Sequence, residues 1–237
     1  MTTPQTQTDH TSRQESNTMR EAFKNHLVTI EKDMMAMADM VTLAINKSII
    51  ALKEQDVATA KIIRNDDQFI NDKRWEIEEK CISLIATQQP VATDLRELIA
   101  VLSIITDLER MGDYAEGIAK IVIKLGDTPL VKPLIDIPRM EEIAVEMTRA
   151  SMKAYSVRDD QAARRINKQD DQVDELYHQV QRELISIMLE KPSTITASTK
   201  LLWVAHNLER IADRVTNICE RIVFLVTGEM IENIREE

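Results

Sequence analysis

The chain of 237 residues is 43% hydrophobic and 30% charged, with only 3% aromatic residues and four glycines, a composition that suits long helices and disfavours sheets with their Gly-rich turns and aromatic strands. A formal charge of −10 excludes a nucleic-acid surface, which needs a Lys/Arg footprint, and favours cations or basic protein patches as partners. The expected fold is all-α.

Residues 1–18, MTTPQTQTDHTSRQESNT, are polar and lack periodicity, and are expected to form a disordered tail. From Met19 to Gln89 there is neither Pro nor Gly, but KEQD, Lys53 to Asp56, interrupts the apolar pattern and predicts a tight turn between two long helices. QQPVATD, from Gln88, is the next break, with Thr93 or Asp94 as N-cap of a helix running to about Leu125. GDTPLVKPLIDIP, Gly126 to Pro138, carries three prolines and divides the chain nearly in half. The second half repeats the plan: a helix from about Pro138 to Val157, a turn at RDD, a helix to about Leu189, a loop at KPST and a final helix.

These segments make six helices in two sets of three, over residues 19–127 and 128–237. The two sets are related residue by residue. Asp67 aligns with Asp170, Ile70 with Val173 and Ile77 with Val180, while LER recurs at Leu108 and Leu208 with Asp113 and Asp213 in register. The reading is therefore two tandem three-helix bundles related by internal duplication.

No apolar run approaches the ~18 residues of a membrane span, and the N-terminus carries no basic start followed by an apolar stretch, so the expected location is cytoplasmic. Cys81 and Cys219 stand alone in separate apolar helical contexts and read as small buried side chains. Met34, Met35, Met37 and Met40 read as core fillers, and Trp75 and Trp203 as core or interface anchors.

Glu109 with Asp113, and Glu209 with Asp213, put like charges four residues apart, which costs an exposed helix roughly 0.2–0.5 kcal/mol per pair. Glu209, Asp213 and Asn217 share one stripe among Leu208, Ile211, Val215 and Ile218. In the first half Gly117 takes the third position. Carboxylates and an amide oxygen are hard donors that bind Mg²⁺, Mn²⁺, Ca²⁺ or iron, and a cation would turn the repulsion into shared attraction. Salt bridges to Arg110, Arg210 or Arg214 are the alternative offset. A di-iron oxidative centre would need a second ExxH motif. The chain has one, Glu175 to His178, and His178 reads as a helix-surface residue. GxSxG, P-loop, GxGxxG and Cys/His patterns are absent, and the chain reads as a non-enzyme.

CISLIATQQPVATDLRELIAVLSIITDLERMGDYAEGIAKIV and NLERIADRVTNICERIVFLVTGEM resemble the two halves of the PhoU family of bacterial phosphate-signalling regulators, over nearly everything from Met19 to Met230. The resemblance implies a metal-binding ExxxDxxxN motif in the third helix of each bundle, carried here by Glu209, Asp213 and Asn217 and by Glu109 and Asp113, with Gly117 departing from the motif. The metal it implies is iron, Mn, Mg or Zn. The task it implies is negative regulation of phosphate uptake and of the phosphate-starvation response, through a phosphate ABC transporter and a sensor histidine kinase, by a homodimer that reaches the membrane through its partners. An iron-carboxylate redox enzyme and a purely structural helical scaffold are the alternatives.

Overall fold

In the computed structural model the described residues run from 6 to 229, with side chains described from Arg20. Seven α-helices follow one another: α1 Thr6–Glu54, α2 Val57–Gln88, α3 Thr93–Leu125, α4 Asp136–Val157, α5 Asp160–Asn167, α6 Asp170–Glu190 and α7 Ile195–Thr227, the last preceded by one 3-10 turn at Pro192–Thr194. Among the described residues there is no strand. Of the tail expected over residues 1–18, the first five lie outside the described residues and α1 is helical from Thr6.

Apolar residues every third or fourth position set the helices and their inward faces. On α3 the buried positions include Val101, Ile104, Ile105, Leu108, Met111, Ala115, Ile118 and Val122; on α7, each of the eight positions one hundred residues later is buried too, from Leu201 to Ile222. These two helices are the most apolar in the fold, and they make its most extensive interhelix contact. The halves are therefore joined through α3 and α7, with α1 and α4 also touching across the seam.

The duplication extends to the turns. Gln55 and Arg158 both adopt left-handed backbone, with φ of 54° and 57°. The next residue in each half, Asp56 or Asp159, caps the following helix by accepting from Thr59 N or Ala162 N. A side-chain oxygen of this kind satisfies one of the orphan N–H groups of a helix start.

Four expectations are corrected. The helix expected from the RDD turn to about Leu189 is two helices, α5 and α6, parted at Lys168 and Gln169; the break accompanies the burial of two polar residues, Asn167 and Asp170, and Asn167 Nδ2 reaches the Thr216 carbonyl of α7 at 3.5 Å. The cap of α3 is Ala92, in a positive-φ conformation with no side-chain cap bond, while Thr93 and Asp94 lie inside the helix, where Asp94 faces the positive end of the dipole. Of the two readings of Trp75 and Trp203, core or interface anchor, the core one falls, since they are 60% and 56% exposed. By length and composition Arg20–Glu54 of α1 does pass as a membrane span, but half of its apolar window is buried inside the bundle, as in a core helix.

Met34 and Met37 are fully buried and Met35 and Met40 pack against the core, as gap fillers do. Cys81 and Cys219 are fully buried, and burial pushes both thiols up to about 12, far from thiolate chemistry at neutral pH.

One buried acid sits in the seam between halves. Glu141 of α4 is 8% exposed, shares a cleft with Asn46 of α1, and has an Oε1 with no hydrogen bond. Burial, then Glu142, push its carboxyl from 4.5 up to about 7 against the pull of Arg149. Its folded value exceeds its unfolded one, so the stability it contributes is present below about 4.5 and lost as pH rises through about 7. Glu141→Gln, which removes the charge and keeps the shape, should gain about 1–3 kcal/mol over the parent at pH 8 and almost nothing at about pH 4, by urea unfolding at the two pH values.

Candidate metal-binding clusters

The first cluster spans α2 and α3. Glu109 lies largely buried, at 16% side-chain exposure, and Asp113 is 37% exposed one turn on. Opposite them α2 presents Asp67, whose Oδ2 accepts from Asn71 Nδ2 at 3.0 Å. Burial and then the charges of Glu116, Asp113 and Glu109 push the Asp67 carboxyl up to about 6, so four carboxylates act on one another across this gap. Two cations answer them: Arg110 reaches Asp113 at 3.1 Å and Glu109 at 3.6 Å, and Lys120 reaches Glu116 at 2.7 Å. Gly112 lets the two helices close here, because a Cβ at that position would sit 3.1 Å from Ile70 Cδ1 and 3.4 Å from Asp67 Oδ1.

The second cluster spans α6 and α7. Glu209 and Asp213 are 20% and 31% exposed. Arg210 donates to Asp213 at 2.7 Å, and His206 Nδ1 stands 3.4 Å from Glu209 Oε2. That Oε2 is cut off from solvent with no hydrogen bond of its own. Burial, then Asp213 and Asp174, raise the Glu209 carboxyl above its usual range. Asp174 of α6 is raised in turn by burial, Asp213 and Asp171.

Asn217 does not join Glu209 and Asp213. Its Nδ2 donates to Asp107 Oδ1 of α3 at 3.2 Å, where Arg214 also reaches Asp107 at 3.5 Å. The site is thus the α3–α7 seam. Gly117, the matching position of the first half, faces the same seam from the other side: a Cβ there would lie 3.3 Å from Asn207 Nδ2. Glycine at 117 is accounted for by the close approach of Asn207, independently of any metal.

Each ExxxD pair is thereby brought together with an acid from the neighbouring helix. Asp67 and Asp174 are the residues that sequence reasoning passed over. Asp67 matches Asp170 in the repeat, and the same register puts Asn71 with Asp174, four residues on in each helix. The same i, i+4 spacing that singled out Glu109 and Asp113 was present on the partner helix.

The donors fit a cation in chemistry. They are oxygen-rich; the first cluster sets four carboxylates beside Arg110 and Lys120, and the second includes the orphaned Glu209 oxygen, both of which a divalent ion would satisfy. Among the described residues no three His, Cys, Asp or Glu side chains are yet gathered about one point, so coordination requires side-chain rotation.

A family model described as PhoU domain matches the chain twice, over residues 34–122 and 137–222. The chain belongs to the PhoU family. Curated relatives named phosphate-specific transport system accessory protein PhoU homolog include one from Clostridium acetobutylicum, 38% identical over 214 residues, covering 90% of this chain and 98% of that one. Another, from Aquifex aeolicus, is 39% identical over 203 residues, covering 86% and 92%. The crystal structure of the phosphate transport system regulatory protein PhoU from Streptococcus pneumoniae superposes with a TM-score of 0.83 at 33% identity, covering 89% of this chain and 99% of that one. The all-α fold is the PhoU fold, and the two matches to the PhoU domain flank the proline-rich connector.

Proposed function

We propose that the chain is a non-enzymatic, metal-binding regulator of phosphate uptake. It acts negatively on the phosphate-starvation response through a phosphate ABC transporter and a sensor histidine kinase, as a cytoplasmic homodimer. Membership of the PhoU family, whose relatives are accessory proteins of phosphate transport, supports the regulatory role. The observation that carries the metal-binding part is the recurrence of one arrangement in both halves: a carboxylate pair on α3 or α7 faced by an acid on α2 or α6. When bound, a cation of the iron, Mn, Mg or Zn class would neutralise these acids and tie the two helices of each pair together. Glu109, Asp113 and Asp67 would hold it in the first half, and Glu209, Asp213 and Asp174 in the second. Asn217, engaged with Asp107, shapes the seam.

The test is complementation. In a bacterium deleted for its own PhoU protein, expression of this chain should restore repression of the starvation response in phosphate-rich medium. The Glu109→Gln/Asp113→Asn/Glu209→Gln/Asp213→Asn variant should restore it poorly at equal protein level. Undiminished starvation signalling despite normal accumulation of folded parent protein contradicts the reading.

A further inference from the structure

Duplication supplies an internal control for the surface: positions matched in the two halves and exposed in both should carry the same kind of residue unless one of them meets something. At four such positions they differ. Leu43 and Ile50 of α1 and Ile62 and Phe69 of α2 are each more than half exposed. In the register that pairs Asp56 with Asp159 and Asp67 with Asp170, their counterparts are Glu146, Lys153, Arg165 and Gln172, exposed as well. The second half carries the polar residues that suit water; the first half carries aliphatics and a phenylalanine.

The four apolar side chains form one patch. Leu43 and Phe69 line the same crevice, and Ile50 and Ile62 each stand seven residues nearer the turn at Gln55 and Asp56, about two helix turns along the same faces. A single exposed apolar residue needs no explanation, whereas a contiguous apolar patch rimmed by polar groups marks a binding surface. The crevice has a volume of about 130 Å³ and reaches Gly112 of α3, where the second half has Ala212. A cavity of about 150 Å³ holds benzene, so this one takes a single large apolar side chain. Among the residues lining it, Asp66, Asp67 and Glu116 are acids and Lys47 is the only base. Glu116 is held by Lys120 at 2.7 Å and Asp67 by Asn71 at 3.0 Å, while Asp66 makes no hydrogen bond or ion pair among the described residues. In the second half Gln169 and Thr216 stand in place of Asp66 and Glu116.

We infer that this face of α1 and α2 docks a basic amphipathic helix of a partner protein, with one large apolar side chain seated in the crevice and a Lys or Arg beside it on Asp66. The acidic rim selects the charge of the occupant, and the apolar stripe over two helices has the form of a groove that receives a helix. A second copy of the chain is a poorer occupant. A twofold contact pairs a patch with itself, which would bring three acids and one base against the same set, and four apolar side chains fall short of the ~800 Å² per partner of a stable interface. The docking face needs no metal, since Asp66 lies outside the α2–α3 carboxylate cluster.

The experiment selects from a displayed library of amphipathic helical peptides, each about 18 residues long so that the helix can form. Their apolar stripe is drawn from Leu, Ile, Met and Phe, and their flanking positions equally from Lys, Arg, Asp, Glu and Gln. Full-length protein is the bait. The counter-bait is Leu43→Glu/Phe69→Gln, which installs the residues of the second half at exposed positions, after circular dichroism and urea unfolding show that its fold is kept. Should that variant fail to fold, Ile50→Lys/Ile62→Arg at the other end of the patch replaces it. Peptides enriched on the parent should carry Lys and Arg flanks, and by fluorescence anisotropy should bind it at least about tenfold more tightly than the counter-bait. Asp66→Asn should weaken the same peptides by about threefold and flatten their salt dependence. Absence of enrichment over the counter-bait, or enrichment with acidic flanks, overturns the inference. So does sedimentation that finds a parent dimer which Leu43→Glu/Phe69→Gln has lost, since the face then belongs to a second copy.

Discussion

Adding a divalent cation to metal-free protein should raise its free energy of unfolding by about 2.7 kcal/mol per occupied site at a free concentration one hundred times the Kd. The gain arises because each cluster draws acids from two helices, so the site exists in the folded chain and not in the unfolded one. It should depend on pH in a stated direction. In cation-free protein the Asp67 carboxyl is raised from 3.8 to about 6, chiefly by burial and then by Glu116, Asp113 and Glu109. A raised acid contributes stability below about 3.8 that is lost as pH rises through about 6, because the fold then carries mutually repelling carboxylates. A cation removes that repulsion, so its benefit should be largest above pH 6 and shrink toward pH 5, where protons compete for Asp67. Thermal or urea unfolding at pH 5 and pH 7.5, with and without metal, reads this directly. Glu109→Gln/Asp113→Asn should abolish the first-half share and leave the rest. Equal unfolding curves with and without metal at both pH values would contradict it.

Leu108→Ala and Leu208→Ala should each cost about 2–5 kcal/mol, the range for removing a fully buried leucine and leaving its cavity. Both side chains are 0% exposed at matched positions on α3 and α7. Because these helices carry the main contact between the halves, each substitution should weaken the whole molecule, with one urea transition moved to lower midpoint and an unchanged slope. Trp203→Ala, which deletes a larger but 56% exposed side chain, should cost less than either. A leucine variant within about 0.5 kcal/mol of the parent, or two transitions from a single variant, would show that the halves unfold independently of this seam.

Much of this was legible in the sequence because helix periodicity and the repeat reinforce one another. Leu108 and Leu208, or Ile77 and Val180, are buried in the same way for the same reason, a 3.6-residue period repeated in two registers. The Lys53 to Asp56 turn was visible because four polar residues interrupt that period. The split between α5 and α6 was not, since neither Pro nor Gly marks Lys168 and Gln169, and burial of Asn167 and Asp170 is a tertiary event. Spacing located the Glu109/Asp113 and Glu209/Asp213 pairs, but i, i+8 on a helix is about 80° of rotation, enough to turn Asn217 from their face to Asp107. The facing acids Asp67 and Asp174 needed the packing of α2 on α3 and α6 on α7, which periodicity within one helix does not contain. Trp75 and Trp203 read as core or interface anchors, and their outward faces remove the first alternative, because a large apolar side chain on a helix need not point inward.

The most direct test of the central claim, that the duplicated carboxylate clusters are two metal sites, is the metal content of protein purified without chelator or affinity metal. It is measured beside Glu109→Gln/Asp113→Asn, Glu209→Gln/Asp213→Asn and the combination of all four substitutions. The account predicts metal in the parent, loss of a distinct share in each half-variant, and none in the combination. A parent that holds no metal after metal-replete growth, or a combined variant that holds as much as the parent, would contradict it and return the ExxxD pairs to the salt bridges of Arg110 and Arg210.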